Sequence, residues 1–264
     1  MCRLFAFVAP RSSTVDQELG DSGLQCLISL AQVHGDGWGW AGVPEVGSQP
    51  AVHKSPLSAA ADPDFHRTLD TPARAAMVHL RWATLGLEIG DDNTHPFLAD
   101  AISFEHNGTL KPIDRIRGLL APASLADMQG DTDSEMYFSL IREKMRAGLA
   151  LPAASLATAR ELRHAYPAAS LNAIILDASN LVVVHANARS FLSDEDVTML
   201  REFDLPDAHA DDYYSLQWLT KPDGTVLIGS TGVAEAGWRP MPAESVITIS
   251  LADGRASIAP ILAD

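Results

Sequence analysis

The chain has 264 residues, 47% apolar and 6% aromatic, with a net charge of −15; that is enough apolar side chain for a core, in one large domain or two small ones. The acidity repels phosphate backbones and argues against a nucleic-acid partner, and no window approaches 18 consecutive apolar residues, so no membrane span is expected. Two cysteines, Cys2 and Cys26, cannot build a disulfide framework, and with no export signal they point to a reducing compartment, the cytoplasm. In chain order, CRLFAFVA reads as a strand starting at the extreme N-terminus, and residues 23–35 have helical apolar spacing that puts Cys26 among apolar neighbours as an inert core thiol. Strands are expected over 73–84 and 101–108. The Asp and Thr ahead of Glu135 open a helix striped by Met136, Leu140, Ile141 and Met145, and a second helix follows over 153–165. LNAIILDASNLVVVHA reads as a hairpin turning at 177–180, followed by a short acidic helix at 194–203. The tail gives two more strand pairs, YYSLQWLT with TVLIGS and SVITISL with RASIAPIL. Residues 86–97 and 204–212 read as polar surface connections. Strands first, helices in the middle and strands again predict an α+β fold with antiparallel sheets, and the lack of a Pro/Gly/Ser linker predicts one domain over 1–264.

Five stretches can carry chemistry. Removal of Met1 would leave Cys2 with a thiol and a free α-amine, a nucleophile and its own base on one residue. HGDGWGWAG, residues 34–42, is either a glycine-rich turn opening a hairpin or a place where another backbone comes close; it lacks the spacing of a phosphate loop. In HLRWATLG, strand alternation puts Met77, His79 and Arg81 on one face and Val78, Leu80 and Trp82 on the other. A guanidinium in so apolar a strand needs an anion, either a protein carboxylate or that of a ligand held by two bonds. EHNG at 105–108 ends a strand either as a plain turn or with the Asn107 amide and Gly108 N–H side by side, a pair able to face a developing oxyanion. GDTDSE is either a helix cap or an anchor for a ligand ammonium. The nine histidines include no HExxH pair, THPF reads as a positioned loop, and no serine sits in GxSxG; neither metal nor cofactor is expected.

Taken together and in order, Cys2, DGWG, HLRWAT, THPF, HNG and DTDSE resemble the class II glutamine amidotransferases, the cysteine branch of the N-terminal nucleophile hydrolases. The resemblance covers about residues 1–145 and is nearest to small stand-alone members, among them γ-glutamyl hydrolases of the ergothioneine pathway. It implies a four-layer αββα sandwich of two antiparallel sheets. It also implies roles: Cys2 as nucleophile with its α-amine moving the proton, Asn107 and Gly108 for the oxyanion, Arg81 for the substrate α-carboxylate, Asp133 for its α-ammonium, and Trp82, Thr84 and His106 lining the pocket. The implied reaction is hydrolysis of glutamine to glutamate and ammonia through a γ-glutamyl thioester. Ammonia transfer would need a synthase partner, because the glutaminase fold fills a chain of this length; a homodimer is compatible. A γ-glutamyl peptide or amine hydrolase and a non-catalytic partner subunit of the same fold are the alternatives.

Overall fold

A computed structural model describes residues 2–83, 88–203, 205, 209–210, 212–233 and 237–262. Among the described residues thirteen strands form two antiparallel sheets. The first takes β1 (Cys2–Ser13), β2 (Trp38–Val43), β3 (Ala51–Ser55), β4 (Ala73–Arg81), β9 (Leu216–Thr220), β10 (Val226–Ser230) and β11 (Arg239–Pro240), in the order β11-β9-β10-β1-β4-β2-β3. The second takes β5 (Phe97–Ala99), β6 (Ile102–Asn107), β7 (Asn172–Leu176), β8 (Asn180–His185), β12 (Ser245–Ser250) and β13 (Ala256–Pro260), in the order β13-β12-β8-β7-β6-β5.

The central strands are apolar on both faces because both faces are covered. Leu4, Ala6 and Val8 of β1 and Met77 of β4 turn inward, onto Ile174 and Leu176 of β7 and Ile247 and Ile249 of β12. The outward residues Phe5, Phe7, Val78 and Leu80 pack under α1 (Val15–Leu30) and α2 (Pro63–Leu69). The outer face of the second sheet, with Phe104, Ile175 and Val184, packs under α5 (Asp133–Arg146), α6 (Leu151–Ala165) and two shorter helices, α3 (Ile113–Arg117) and α4 (Pro122–Ala126). The expected αββα layering is therefore present.

The expected strands and both long helices are found within a few residues of their expected bounds. The acidic helix is shorter, α7 (Asp194–Leu200). The first helix is broken at Gly20, whose φ of 65° and ψ of 177° are not helical; the part beyond the break begins close to the expected start, and a preceding turn from Val15 is capped by Thr14, which accepts from the Gln17 N–H. Two expectations are corrected. Cys26 is half-buried, not a core thiol, since it lies between Leu27 on the packed stripe and Gln25 on the exposed one. The connections at 86–97 and 204–212 are not wholly surface segments: Thr94, His95 and His209 are buried. His95 packs on the rings of His79 and Phe97, and His209 on those of His34 and Tyr213.

The glycine-rich stretch runs into β2, which pairs with β3 as a hairpin. Its Gly39 has a structural reason: a Cβ there would lie 2.1 Å from the His95 carbonyl oxygen. Only a glycine lets the 94–97 segment lie against β2 and reach the end of the sheet where Cys2 stands.

Candidate active site

Cys2 is the first residue of β1 and lies in register with Arg81, the last residue of β4. The shared alternation turns Cys2, His79 and Arg81 into the space between the sheets. From the other sheet, Glu105 and Asn107 of β6 face the same space, while Phe104 and His106 face the helices. One hydrogen bond joins the sheets here: the Cys2 N–H donates to Asn107 Oδ1 at 2.8 Å. Asn107 is fully buried, and its Nδ2 has no partner among the described residues. A buried amide donor left open is costly unless another group uses it.

Cys2 is buried as well. Burial alone would push its thiol up; the terminal ammonium of the unprocessed chain, His79 and the Trp82 N–H outweigh it and hold the thiol at about 6 while Met1 is in place. Arg81 donates to the Asp36 and Glu88 carbonyl oxygens at 3.3 and 3.2 Å. The Asp36 carboxylate accepts instead from the Ala83 N–H at 2.8 Å. Among the described residues no carboxylate ion-pairs with Arg81, so of the two partners that the sequence left open, a protein carboxylate is not the one found.

Asp133 is the first residue of α5. Thr132 caps that helix by accepting from the Glu135 N–H, while Glu135 accepts from the N–H groups of Gln129 and Gly130. The Asp133 carboxylate accepts from the N–H groups of Leu110 and Ser134, which aim it at the site. His106 bridges Ser134 Oγ and the Ser170 carbonyl at 2.9 and 3.2 Å. The carbonyl can only accept, so Nε2 carries the proton and Nδ1 accepts from the serine. Burial lowers this imidazole to about 4, against the opposing pull of Asp133. It is neutral at neutral pH and acts as a brace. Gly108 packs against that brace: a Cβ on it would meet the Ser170 carbonyl oxygen at 2.1 Å and His106 Nε2 at 2.5 Å.

Cys2, Arg81, Trp82, His106, Gly108 and Asp133 line one narrow cavity of about 30 Å³, room for about two waters, so a larger ligand must widen it. Asn107 joins them through Cys2. Of the expected site residues only Thr84 lies outside the described residues. Four residues at this end carry no expected role. Glu105 is fully buried, with both carboxyl oxygens unpartnered among the described residues, and burial together with Cys2 pushes its carboxyl well above the usual carboxylate range. The His79 and His95 rings lie 4.4 Å apart, tilted by 30°, with their ring nitrogens unpartnered among the described residues. Arg3 is fully buried and donates to the Cys2 carbonyl.

The model of the class II glutamine amidotransferase family matches residues 1–247, and the chain belongs to that family. Its sandwich is the N-terminal nucleophile hydrolase fold. Over 129 residues, 47% of this chain and 21% of the relative, it is 29% identical to an isomerizing glutamine–fructose-6-phosphate aminotransferase of Rhizobium meliloti. The chain thus spans about a fifth of the length of such relatives. Among solved structures, a glutamine phosphoribosylpyrophosphate amidotransferase of B. subtilis superposes with a TM-score of 0.66 at 16% identity, covering all of this chain and 50% of that one. A glutamine aminotransferase class-II domain protein of Silicibacter pomeroyi gives 0.61 at 18% identity, covering 98% of this chain and 99% of that one. At such identities these structures speak for the fold alone.

Proposed function

We propose that this chain hydrolyses the side-chain amide of glutamine, with Cys2 as nucleophile once Met1 has been removed. The observation that carries this reading is the Cys2–Asn107 contact: one amide holds the nitrogen of the candidate nucleophile and leaves its own N–H₂ without a partner among the described residues. The Cys2 thiol passes its proton to the residue's own α-amine as the sulfur bonds to the amide carbon. The oxyanion accepts from Asn107 Nδ2 and the Gly108 N–H. The Cys2 α-amine delivers a proton to the nitrogen as the C–N bond breaks, and ammonia leaves a γ-glutamyl thioester. Water then adds to the thioester carbon, the C–S bond breaks, and glutamate is released. Arg81, whose guanidinium is bonded only to carbonyls among the described residues, takes the α-carboxylate in two-point fashion, and Asp133 takes the α-ammonium. Trp82 and His106 form walls, and Thr84 joins them in this reading. Transfer of the ammonia would need an acceptor on a partner protein.

A second reading, a γ-glutamyl amine or peptide as substrate, including the ergothioneine-pathway type, has one observation in its favour. A half-open cavity of about 540 Å³ is lined by Asn187, Phe191, Asp194, Asp212, Tyr213 and Tyr214. Tyr213 also donates its hydroxyl to the Cys2 carbonyl, so room for a larger amine lies one ring away.

The test is the intact mass after incubation with 6-diazo-5-oxo-norleucine, a glutamine-shaped electrophile. A chain lacking Met1 with one adduct, blocked by excess glutamine, is the expected result. A processed chain that takes no adduct shifts the reading to the larger substrate; an unreactive chain retaining Met1 overturns both.

A further inference from the structure

Arg3 points away from the active-site cavity, on the face of β1 that carries Phe5 and Phe7, and its guanidinium reaches the Cys2 carbonyl, Thr231, Tyr213 and, at 3.5 Å, Nδ1 of His209. Nε donates to the Cys2 carbonyl at 2.7 Å. One terminal nitrogen donates to the Thr231 carbonyl at 3.1 Å and its hydroxyl at 3.3 Å, and the other to the Tyr213 carbonyl at 2.9 Å. The guanidinium carbon lies over the Tyr213 ring, 3.7 Å from its centre, and that residue's hydroxyl donates to the same Cys2 carbonyl at 3.3 Å. Residue 2 is therefore gripped at both ends of its backbone, by Asn107 at the nitrogen and by Arg3 with Tyr213 at the oxygen.

The charge of Arg3 is as notable as its bonds. Its relative exposure is 0%, and among the described residues no carboxylate ion-pairs with it. A buried cation without a counter-charge projects its field onto its neighbours. Both buried histidines beside it, His34 and His209, are held below the ordinary range, by burial first and by Arg3 next.

We propose that Arg3 is the positioning residue of the nucleophile: it clamps the Cys2 carbonyl, and its uncompensated charge keeps the α-amine of processed Cys2 unprotonated and ready to shuttle a proton. The inference rests on the reading of Cys2 given above. Other titratable and charged groups pack around this end of β1. From β4 come His79 and Arg81; from β6, Glu105 and His106; from the turn before β2, His34 and Asp36; from α5, Asp133; and from the chain near Tyr213, His209 and Tyr214. Burial holds the Glu105 carboxyl well above the usual carboxylate range and the imidazoles of His34, His106 and His209 below theirs, while the Asp36 and Asp133 carboxylates are anions held on backbone N–H groups and act in the opposite sense to Arg3. Arg81 is the other fixed cation, but it lines the cavity and would be neutralised by a bound carboxylate. Arg3 does not line the cavity, so its field persists through turnover.

Because the chain has only two cysteines, ¹⁵N-cysteine labelling gives one amine resonance, from Cys2, in protein prepared without Met1. Its shift is followed against pH in the wild type, Arg3→Met, Arg3→Gln and Arg3→Lys. Loss of the cation should raise the amine's titration midpoint by about one pH unit, while Arg3→Lys should stay within a few tenths of wild type. A purely structural role would lower activity at every pH and leave the midpoint in place; equal midpoints in wild type and Arg3→Gln overturn the proposal. Arg3→Gln keeps hydrogen-bond donors and covers the case in which Arg3→Met does not fold. Labelling of the wild type with 6-diazo-5-oxo-norleucine is run in parallel. A shifted midpoint without an adduct sinks the glutamine reading and keeps the role of Arg3; an adduct with an unmoved midpoint does the reverse.

Discussion

At one end of the space between the sheets, Val8, Ala75, Leu176 and Ile249 meet as unbroken apolar packing. At the other end, on neighbouring strands of the same two sheets, Cys2, His79, Arg81, Glu105 and Asn107 occupy the inward positions. The alternation is the same and the burial is nearly as complete, but polar atoms at the second end stay unpartnered among the described residues: Asn107 Nδ2, both Glu105 oxygens and the nitrogens of His79. The first end holds the sheets together. The second is carried at a cost in stability of about 1–3 kcal/mol for each orphaned group. A protein keeps such groups where chemistry requires them.

The contrast can be broken most sharply at the polar end. Cys2→Ala should remove the 6-diazo-5-oxo-norleucine adduct and lower glutamine turnover by about 10⁴ or more, with the circular dichroism spectrum unchanged. Asn107→Ala should cost on the order of 10²–10³ in kcat, read as ammonia release at saturating glutamine; full activity would remove the oxyanion assignment. Arg81→Met should raise the half-saturating glutamine concentration about 10–10²-fold through the lost charge-assisted bonds, with a smaller change in kcat. At the apolar end the currency changes. Leu176→Ala should cost about 2–5 kcal/mol in denaturant unfolding and leave the labelling rate of Cys2 within about twofold. The smallest effect is expected from Glu105→Gln. The native carboxyl is held above its unfolded value, so the native state binds the extra proton and loses stability as pH rises above the ordinary carboxylate range. The glutamine variant should therefore unfold at higher urea, with an advantage that grows from pH 5 to pH 8; a constant difference across that range would show that Glu105 titrates normally.

Much of this contrast is legible in the sequence. The alternation in HLRWAT assigns Arg81 to its face, the Thr132–Glu135 spacing gives the start of α5, and HNG ends β6 where expected. These signals are local, a period of two or a cap three residues away. The buried burden of the site is not local. Arg3 reads as one more residue of an apolar strand, because its partners Tyr213 and Thr231 stand 210 and 228 residues further on. His209 sits in a stretch whose composition suggests surface, and only the rings of His34 and Tyr213 explain its burial. Glu105 carries no signal of its own in EHNG, since nothing short of the second sheet shows that its face is closed. The tail of the chain, read as strands without chemistry, thus supplies the surroundings of Arg3.

That span has a consequence for the order of events during synthesis. The carbonyl side of residue 2 is gripped only after Tyr213 and Thr231 have emerged from the ribosome, and closing a segment of more than 200 residues is slow compared with forming a local turn. Until then the first residues of the nascent chain have no partner there and stay within reach of an aminopeptidase. The trimming that the proposed chemistry requires belongs to that interval, so translation leaves a window of most of the chain's length in which the amine can be uncovered before folding encloses it.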